Sequence, residues 1–213
     1  MKVVLADDHR MMRDGLRAVL EKAGVRVLGE AANGHEAIAE AKRLRPDVVV
    51  MDVGMPELNG IDATKRLIAE LPGTKVLALS MTADRRYVSA MLEAGASGYL
   101  LKNAASEELL SALASVCRGE TYLSPAITRT MGAPTIRRRT PSGGLERPLS
   151  TREREVLQLI AEGKSSKEIG ATLGIALPTV ETHRRQLMEK LSLRTIAELT
   201  KYAIREGLTS SEP

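Results

Sequence analysis

Cysteine is nearly missing: Cys117 stands alone among 213 residues, which excludes a disulfide framework and any cysteine-based zinc site. Tryptophan and phenylalanine are absent and tyrosine occurs four times, so the chain lacks the aromatic platforms on which single-strand nucleic-acid binders stack bases. No apolar run approaches the roughly 18 residues a membrane span needs. The densest stretch is Val48-Val49-Val50-Met51. The opening residues, Met1 to Ala6, meet the acidic pair Asp7-Asp8 too soon to form a signal peptide. The expectation is a soluble, cytoplasmic protein with no membrane partner, and the length predicts two domains.

What is present is unevenly spread. The net charge of +4 hides a division: residues 1–120 carry 16 Lys and Arg against 17 Asp and Glu, a net of −1, and residues 121–213 carry 15 against 10, a net of +5. All seven aspartates lie in the first 84 residues. An aspartate-bearing half suits metal or phosphoryl chemistry, and a basic half suits a polyanion, with duplex DNA favoured by the lack of aromatics.

Residues 1–118 alternate β-rich runs with helical patterns. Strands are predicted at 2–6, 25–31, 47–51, 75–80 and 97–101, and helices at 10–22, 36–44, 61–71, 86–94 and 106–118, with Pro46 and Pro72-Gly73 closing two of them. Five strands alternating with five helices predict a flavodoxin-like α/β domain, a five-stranded parallel sheet covered on both faces, over residues 1–119. Residues 120–148 read as a linker, with a short helix at 126–131 and a flexible basic stretch at 132–148 around Arg137-Arg138-Arg139. Residues 149–213 predict a small all-α domain with helices at 152–162, 167–173, 178–191 and 195–206. Ser150 or Thr151 and Ser165 or Ser166 are the caps, and Gly163, Gly174 and Gly207 the stops.

In open parallel sheets, functional groups collect at the carboxyl ends of the strands. Asp7 and Asp8 follow the first strand and Asp52 follows the third. Crowded carboxylates resist ionising together, and a hard divalent cation such as Mg²⁺ relieves that repulsion while bringing waters and a phosphate oxygen. Ser80 closes the fourth strand and Lys102 the fifth, adding a hydroxyl and an ammonium suited to a phosphoryl group.

Asp7-Asp8, Asp52 within Val48-Val49-Val50-Met51-Asp52-Val53-Gly54-Met55-Pro56, Ser80 and Gly98-Tyr99-Leu100-Leu101-Lys102 resemble the receiver domain of two-component response regulators, over about residues 1–118. The resemblance implies that Asp52 takes a phosphoryl group from a histidine kinase. It implies that Asp7, Asp8, Asp52 and the Gly54 carbonyl hold Mg²⁺, that Lys102 pairs with the phosphoryl group, that Ser80 moves toward it, and that Tyr99 turns inward as a relay. Read without it, Tyr99 is a half-buried aromatic on an edge strand. Two departures stand out. Met81 is bulkier than the small residue common after that Ser, which predicts narrowed access, and Asn103 stands where many receivers carry proline, so that peptide need not be cis.

In the basic half, residues 167–173, a Gly174-Ile175-Ala176-Leu177 turn and residues 178–191 form a helix-turn-helix pattern. Val180, Leu187 and Leu191 are predicted inward, and Glu181, Thr182, Arg184, Arg185 and Lys190 outward. Arg and Thr in the first turns of such a helix suit the major groove. The runs Leu149-Ser150-Thr151-Arg152-Glu153, Gly163-Lys164-Ser165-Ser166-Lys167-Glu168-Ile169 and Thr179-Val180-Glu181-Thr182-His183-Arg184 resemble the LuxR-type helix-turn-helix, and the whole chain is similar to response regulators of the NarL/FixJ family. That resemblance implies Glu181, Thr182 and Arg185 at base edges, Lys164, Thr179, His183, Arg184 and Lys190 near phosphates, and a homodimer formed through residues 194–204. Ala176 stands where a capping Ser is usual, and Glu181 replaces the Lys of many members. Gly163-Lys164-Ser165 mimics the end of a P-loop, but Gln158 stands where that motif requires Gly. His9 and the pair Met11-Met12 receive no function.

The reading is therefore a transcription factor switched by Mg²⁺-dependent phosphorylation of Asp52, and not an enzyme beyond assisting its own phosphorylation and hydrolysis. Two others compete. An aspartyl-phosphate phosphatase would place its nucleophile at the first strand end and cover it with a cap. A constitutive DNA-binding dimer would not need the set Asp8, Asp52, Ser80 and Lys102.

Overall fold

The computed structural model describes residues 1–131 and 149–209, and the chain divides into two compact units, residues 1–134 and 135–213. The stretch 132–148, read as a basic linker, lies outside the described residues.

Valine-rich runs build the first unit. Strands β1 (Lys2–Ala6), β2 (Arg26–Ala31), β3 (Val48–Asp52), β4 (Lys75–Ser80), β5 (Gly98–Leu101) and β6 (Tyr122–Leu123) form one parallel sheet in the order β2-β1-β3-β4-β5-β6. Because side chains alternate across a strand, each run feeds two cores. Val4, Ala6, Val49, Met51, Val76, Ala78 and Tyr99 enter one, and Val3, Leu5, Val48, Val50, Leu77, Leu79 and Leu100 the other. Burial on both faces is why these strands read as continuous apolar stretches.

Helices α1 (Arg10–Lys22), α2 (Gly34–Leu44), α3 (Gly60–Glu70), α4 (Arg85–Glu93) and α5 (Ser106–Cys117) cross between the strands. Asn33, Asn59 and Asp84 cap α2, α3 and α4, each accepting a main-chain N–H from the first turn. The chain steps from β1 outward to β2, then back across β1 to β3. That reversal places the ends of β1 and β3 side by side at the switch point where α/β sheets bind ligands.

The five-stranded expectation needs correcting. Tyr122 and Leu123 pair in parallel with Gly98 and Tyr99 as a sixth strand, and α6 (Pro125–Met131) follows, with Ile127 fully buried in the cluster that holds Tyr99. Residues 120–131 thus belong to the first unit rather than to a linker. Two half-buried residues give no periodicity to detect, and the stretch around them is rich in Pro and Gly. With β6 outside it, β5 is not an edge strand, and Tyr99 is fully buried rather than half-buried.

On the β2 side, Glu30 accepts from Arg13 Nε at 3.0 Å and Arg17 Nε at 2.7 Å. Burial alone would raise the Glu30 carboxyl, but the hydrogen bonds from Arg17 and Arg13 outweigh it and hold the group below the usual range. A carboxyl depressed by folding contributes stability above its unfolded pKa, lost as pH falls through the folded one. Glu30→Gln should therefore lower receiver stability at pH 7 by about 1 kcal/mol. The difference should shrink as pH falls and Glu30 protonates; urea unfolding followed by circular dichroism at pH 7 and in acid checks it.

The second unit is all helical: α7 (Thr151–Ala161), α8 (Ser166–Leu173), α9 (Leu177–Leu191) and α10 (Ile196–Arg205). Ser150, Ser165 and Thr195 each form a reciprocal capping box with Glu153, Glu168 and Glu198, and Gly174 ends α8 in the left-handed conformation. Val156, Leu157, Leu159, Ile160, Ile169, Val180, Leu187, Leu191 and Leu199 make one core, so the inward stripe predicted for α9 is the one that packs. Ala176 caps α9 without a side-chain bond, and Pro178 lies in its first turn.

Candidate functional site

The β1 and β3 ends deliver Asp7 and Asp52, 1% and 4% exposed, and β5 hands on Lys102. Lys102 Nζ lies 2.7 Å from Asp52 Oδ2 and 2.8 Å from Asp7 Oδ2. One ammonium therefore neutralises part of two buried carboxylates. Burial pushes the Asp52 carboxyl above its ordinary value, the Lys102 charge opposing and the Asp7 charge reinforcing. Burial works to lower Lys102, and Asp52 and Asp7 overcome it, so its pKa is raised. The Gly54 N–H donates to Asp52 Oδ1 at 3.2 Å.

Asp8 sits at the rim, its side chain 31% exposed, and His9 folds over it with Nδ1 2.8 Å from Asp8 Oδ1. The ligand-type atoms of Asp7, Asp8, His9 and Asp52 all lie within 4.8 Å of one another. Asp7 Oδ2 and Asp8 Oδ1 are shielded from solvent and accept no formed hydrogen bond, although Lys102 and His9 stand at ion-pair distance. Oxygen donors clustered this way, short of positive charge, fit a hard divalent cation.

Ser80 ends β4 almost buried, its Oγ accepting the Thr82 N–H at 3.2 Å. Thr82 and Asp84 repeat the device, each accepting an N–H two residues on, so a chain of side-chain turns leads from Ser80 into α4. The Tyr99 hydroxyl donates to the Thr82 carbonyl at 3.1 Å, which ties β5 to that turn. Burial pushes this hydroxyl up to about 12, so it acts as a donor at any physiological pH. Met81, expected to narrow access, is 80% exposed and directed to solvent. The peptide after Lys102 is trans.

On α9, Thr179, Glu181 and Arg185 are exposed, as is Lys164 before α8, while Thr182, His183, Arg184 and Lys190 are half-buried. Thr182 Oγ1 donates to the Pro178 carbonyl at 2.9 Å and Arg184 to Ser166 Oγ at 2.5 Å. Lys190, expected to face outward, lies 2.8 Å from Glu153 Oε2. The helical pattern put it on the open face, and only folding brings α7 against it. The sequence reading gave His9 no function, although it follows Asp7-Asp8 directly. It passed over Arg152, which bonds both Glu155 and the Leu173 carbonyl at the end of α8.

Residues 3–114 match the response regulator receiver domain family, which defines the class of the first unit. Residues 147–203 match the LuxR family of bacterial regulatory proteins. The chain is 39% identical to the transcriptional regulatory protein MctR of Rhizobium johnstonii over 99% of its own length and 96% of that protein's. It is 38% identical to the oxygen regulatory protein NreC of Staphylococcus carnosus, over 98% of this chain and 99% of that one. A solved structure of two RcsB dimers bound to two parallel DNAs is similar at a TM-score of 0.58 and 28% identity, covering 95% of this chain and 96% of that one. The chain belongs to the LuxR-type (NarL/FixJ) response regulators, with a receiver domain followed by a DNA-binding domain.

Proposed function

We propose that this response regulator is switched by phosphorylation of Asp52, a sensor histidine kinase being the donor, and that the switch favours a homodimer on paired DNA half-sites. The observation that carries the reading is the convergence of Asp7, Asp52 and Lys102 on one buried point, with Asp8 at its mouth. Asp8 and Asp52, with Asp7 and the Gly54 carbonyl, would hold Mg²⁺, which when bound offsets negative charge on the transferring phosphoryl group. Asp52 is the nucleophile, and its partner Lys102 is placed to follow the incoming charge. Ser80, at the end of the adjacent strand, supplies a hydroxyl to the same group. Drawing Ser80 inward would disturb the turn that holds the Tyr99 hydroxyl, and so pass a local change in charge to the β4–α4 segment. The protein assists its own phosphorylation and hydrolysis, is not an enzyme in the metabolic sense, and works in the cytoplasm.

In the second unit, Glu181 and Arg185, exposed on α9, would meet base edges, with Thr182 beside them. Lys164, Thr179, His183 and Arg184 would lie near phosphates, Lys190 joining them only by leaving Glu153. The test is DNA retention of the full chain with and without acetyl phosphate and Mg²⁺, on fragments selected from random sequence. Phosphorylated protein should be retained at lower concentration, and Arg185→Ala should weaken specific retention by about 10- to 100-fold while leaving phosphorylation intact. Retention that ignores phosphorylation would favour a constitutive dimer.

A further inference from the structure

We propose that His9 is a further ligand of the acidic pocket, and that its imidazole gives the site selectivity for imidazole-binding first-row divalent ions, Co²⁺ being the probe, beyond what the carboxylates provide. The inference rests on reading Asp7, Asp8 and Asp52 as a divalent-cation site and names a residue that this reading leaves unused.

His9 occupies the N-cap position of α1, where a side chain commonly folds forward onto the first-turn N–H groups. Here it makes no capping bond. The backbone is instead fixed by the His9 N–H donating to Asp7 Oδ1 at 2.9 Å, and the ring turns back toward the carboxylates. Its Nδ1 lies 2.8 Å from Asp8 Oδ1 and 3.4 Å from Asp7 Oδ1. Donors to one octahedral ion with bonds of roughly 2.1 Å stand about 3 Å apart at neighbouring corners. The two spacings bracket that value, and Asp52 falls in the same cluster.

Asp8 Oδ1, the atom nearest the ring, is shielded and accepts no formed hydrogen bond, so the His9–Asp8 approach is a contact that an entering ion can replace without stranding a partner. The His9 side chain is 71% exposed and can follow the ion without unpacking any core. Three carboxylates and a carbonyl are oxygen donors suited to Mg²⁺. Imidazole adds little for so hard an ion, which keeps its waters, and adds much for Co²⁺ or Ni²⁺. A ring that merely paired with Asp8 would instead alter binding of every divalent ion alike, through the charge and position of that carboxylate.

The ratio of affinities therefore decides. Calorimetric titration of the full, untagged chain at pH 7.5 with Mg²⁺ and, separately, with Co²⁺ is run on the parent, on His9→Ala and on Asp52→Asn. His9→Ala should weaken Co²⁺ binding by about tenfold or more and leave Mg²⁺ binding within about twofold. The visible absorption of bound Co²⁺ should shift as an oxygen donor replaces the ring nitrogen, and Asp52→Asn should weaken both ions. Equal losses for the two ions in His9→Ala, or no loss for either, would overturn the assignment, as would Co²⁺ binding indifferent to Asp52→Asn. A parent that binds no Mg²⁺ would remove the cation site itself, an outcome distinct from Mg²⁺ binding without the Co²⁺ preference.

Discussion

Asp52→Asn should abolish labelling by acetyl phosphate: with Mg²⁺ present, the parent gains one phosphoryl group by intact mass and the variant gains none. The amide cannot attack phosphorus as a carboxylate does, and no other described carboxylate pairs with Lys102 except Asp7, which lies at the end of a different strand. The substitution should not unfold the domain. Burial raises the Asp52 pKa, so its ionisation costs folding free energy as pH climbs from the unfolded value toward the folded one, and the cost is fully present above that. Replacing it by a neutral isostere removes the cost, and Lys102 keeps Asp7 as a partner at 2.8 Å. Melting of the variant in Mg²⁺-free buffer at pH 7 should accordingly be unchanged or higher. Equal labelling of parent and variant would move the acceptor elsewhere, and an unlabelled parent would remove phosphorylation from the account.

A large effect on stability is expected from Gly60→Ala. Gly60 opens α3 directly behind Asp52, its N–H donating to the Val53 carbonyl at 3.0 Å, while Asn59 Oδ1 accepts the Asp62 N–H at 2.9 Å. A methyl group at position 60 would stand 1.9 Å from the Asp52 carbonyl oxygen and 3.0 Å from the Val53 Cα. Both neighbours are backbone, so no side chain can swing aside. Overpacking of this kind costs on the order of 3 kcal/mol, an apparent melting shift of roughly 10 °C for a domain of this size. Because the atom pushed away belongs to Asp52, labelling should fall with stability. Gly15→Ala is the control: nothing lies within 4 Å of its added carbon, and inside α1 the change should stabilise by about 0.5–1 kcal/mol. Equal melting points for Gly60→Ala and the parent would mean that α3 can shift without cost.

The parts legible in the sequence are those whose signal is local. Val48-Val49-Val50-Met51 announces a strand buried on both faces, and the positional rule for parallel sheets then turns Asp7, Asp8, Asp52, Ser80 and Lys102 into one constellation before any coordinate is known. Capping boxes beginning at Ser150 and Ser165 are likewise written in a few adjacent residues. What escaped depends on distant partners or on direction. Lys190 reads as exposed until Glu153 is folded against it. The bulk of Met81 was legible but its exposure was not. Tyr99 changes from half-buried to sealed because Tyr122 and Leu123, too few to show a period, close the sheet beside it.

That closure has a practical side for anyone dividing the molecule. A receiver cut at residue 119 keeps every carboxylate of the pocket and every phosphoryl-facing group yet loses β6 and Ile127 together. The Ser97 and Tyr99 carbonyls would then lose the Tyr122 and Ser124 N–H groups that donate to them and lie open along that flank, with a vacated apolar seat beside them. An uncovered strand of this kind recruits strands from neighbouring molecules. Such a fragment would report self-association that originates in the scissors, whereas one carried through residue 131 keeps its flank sealed.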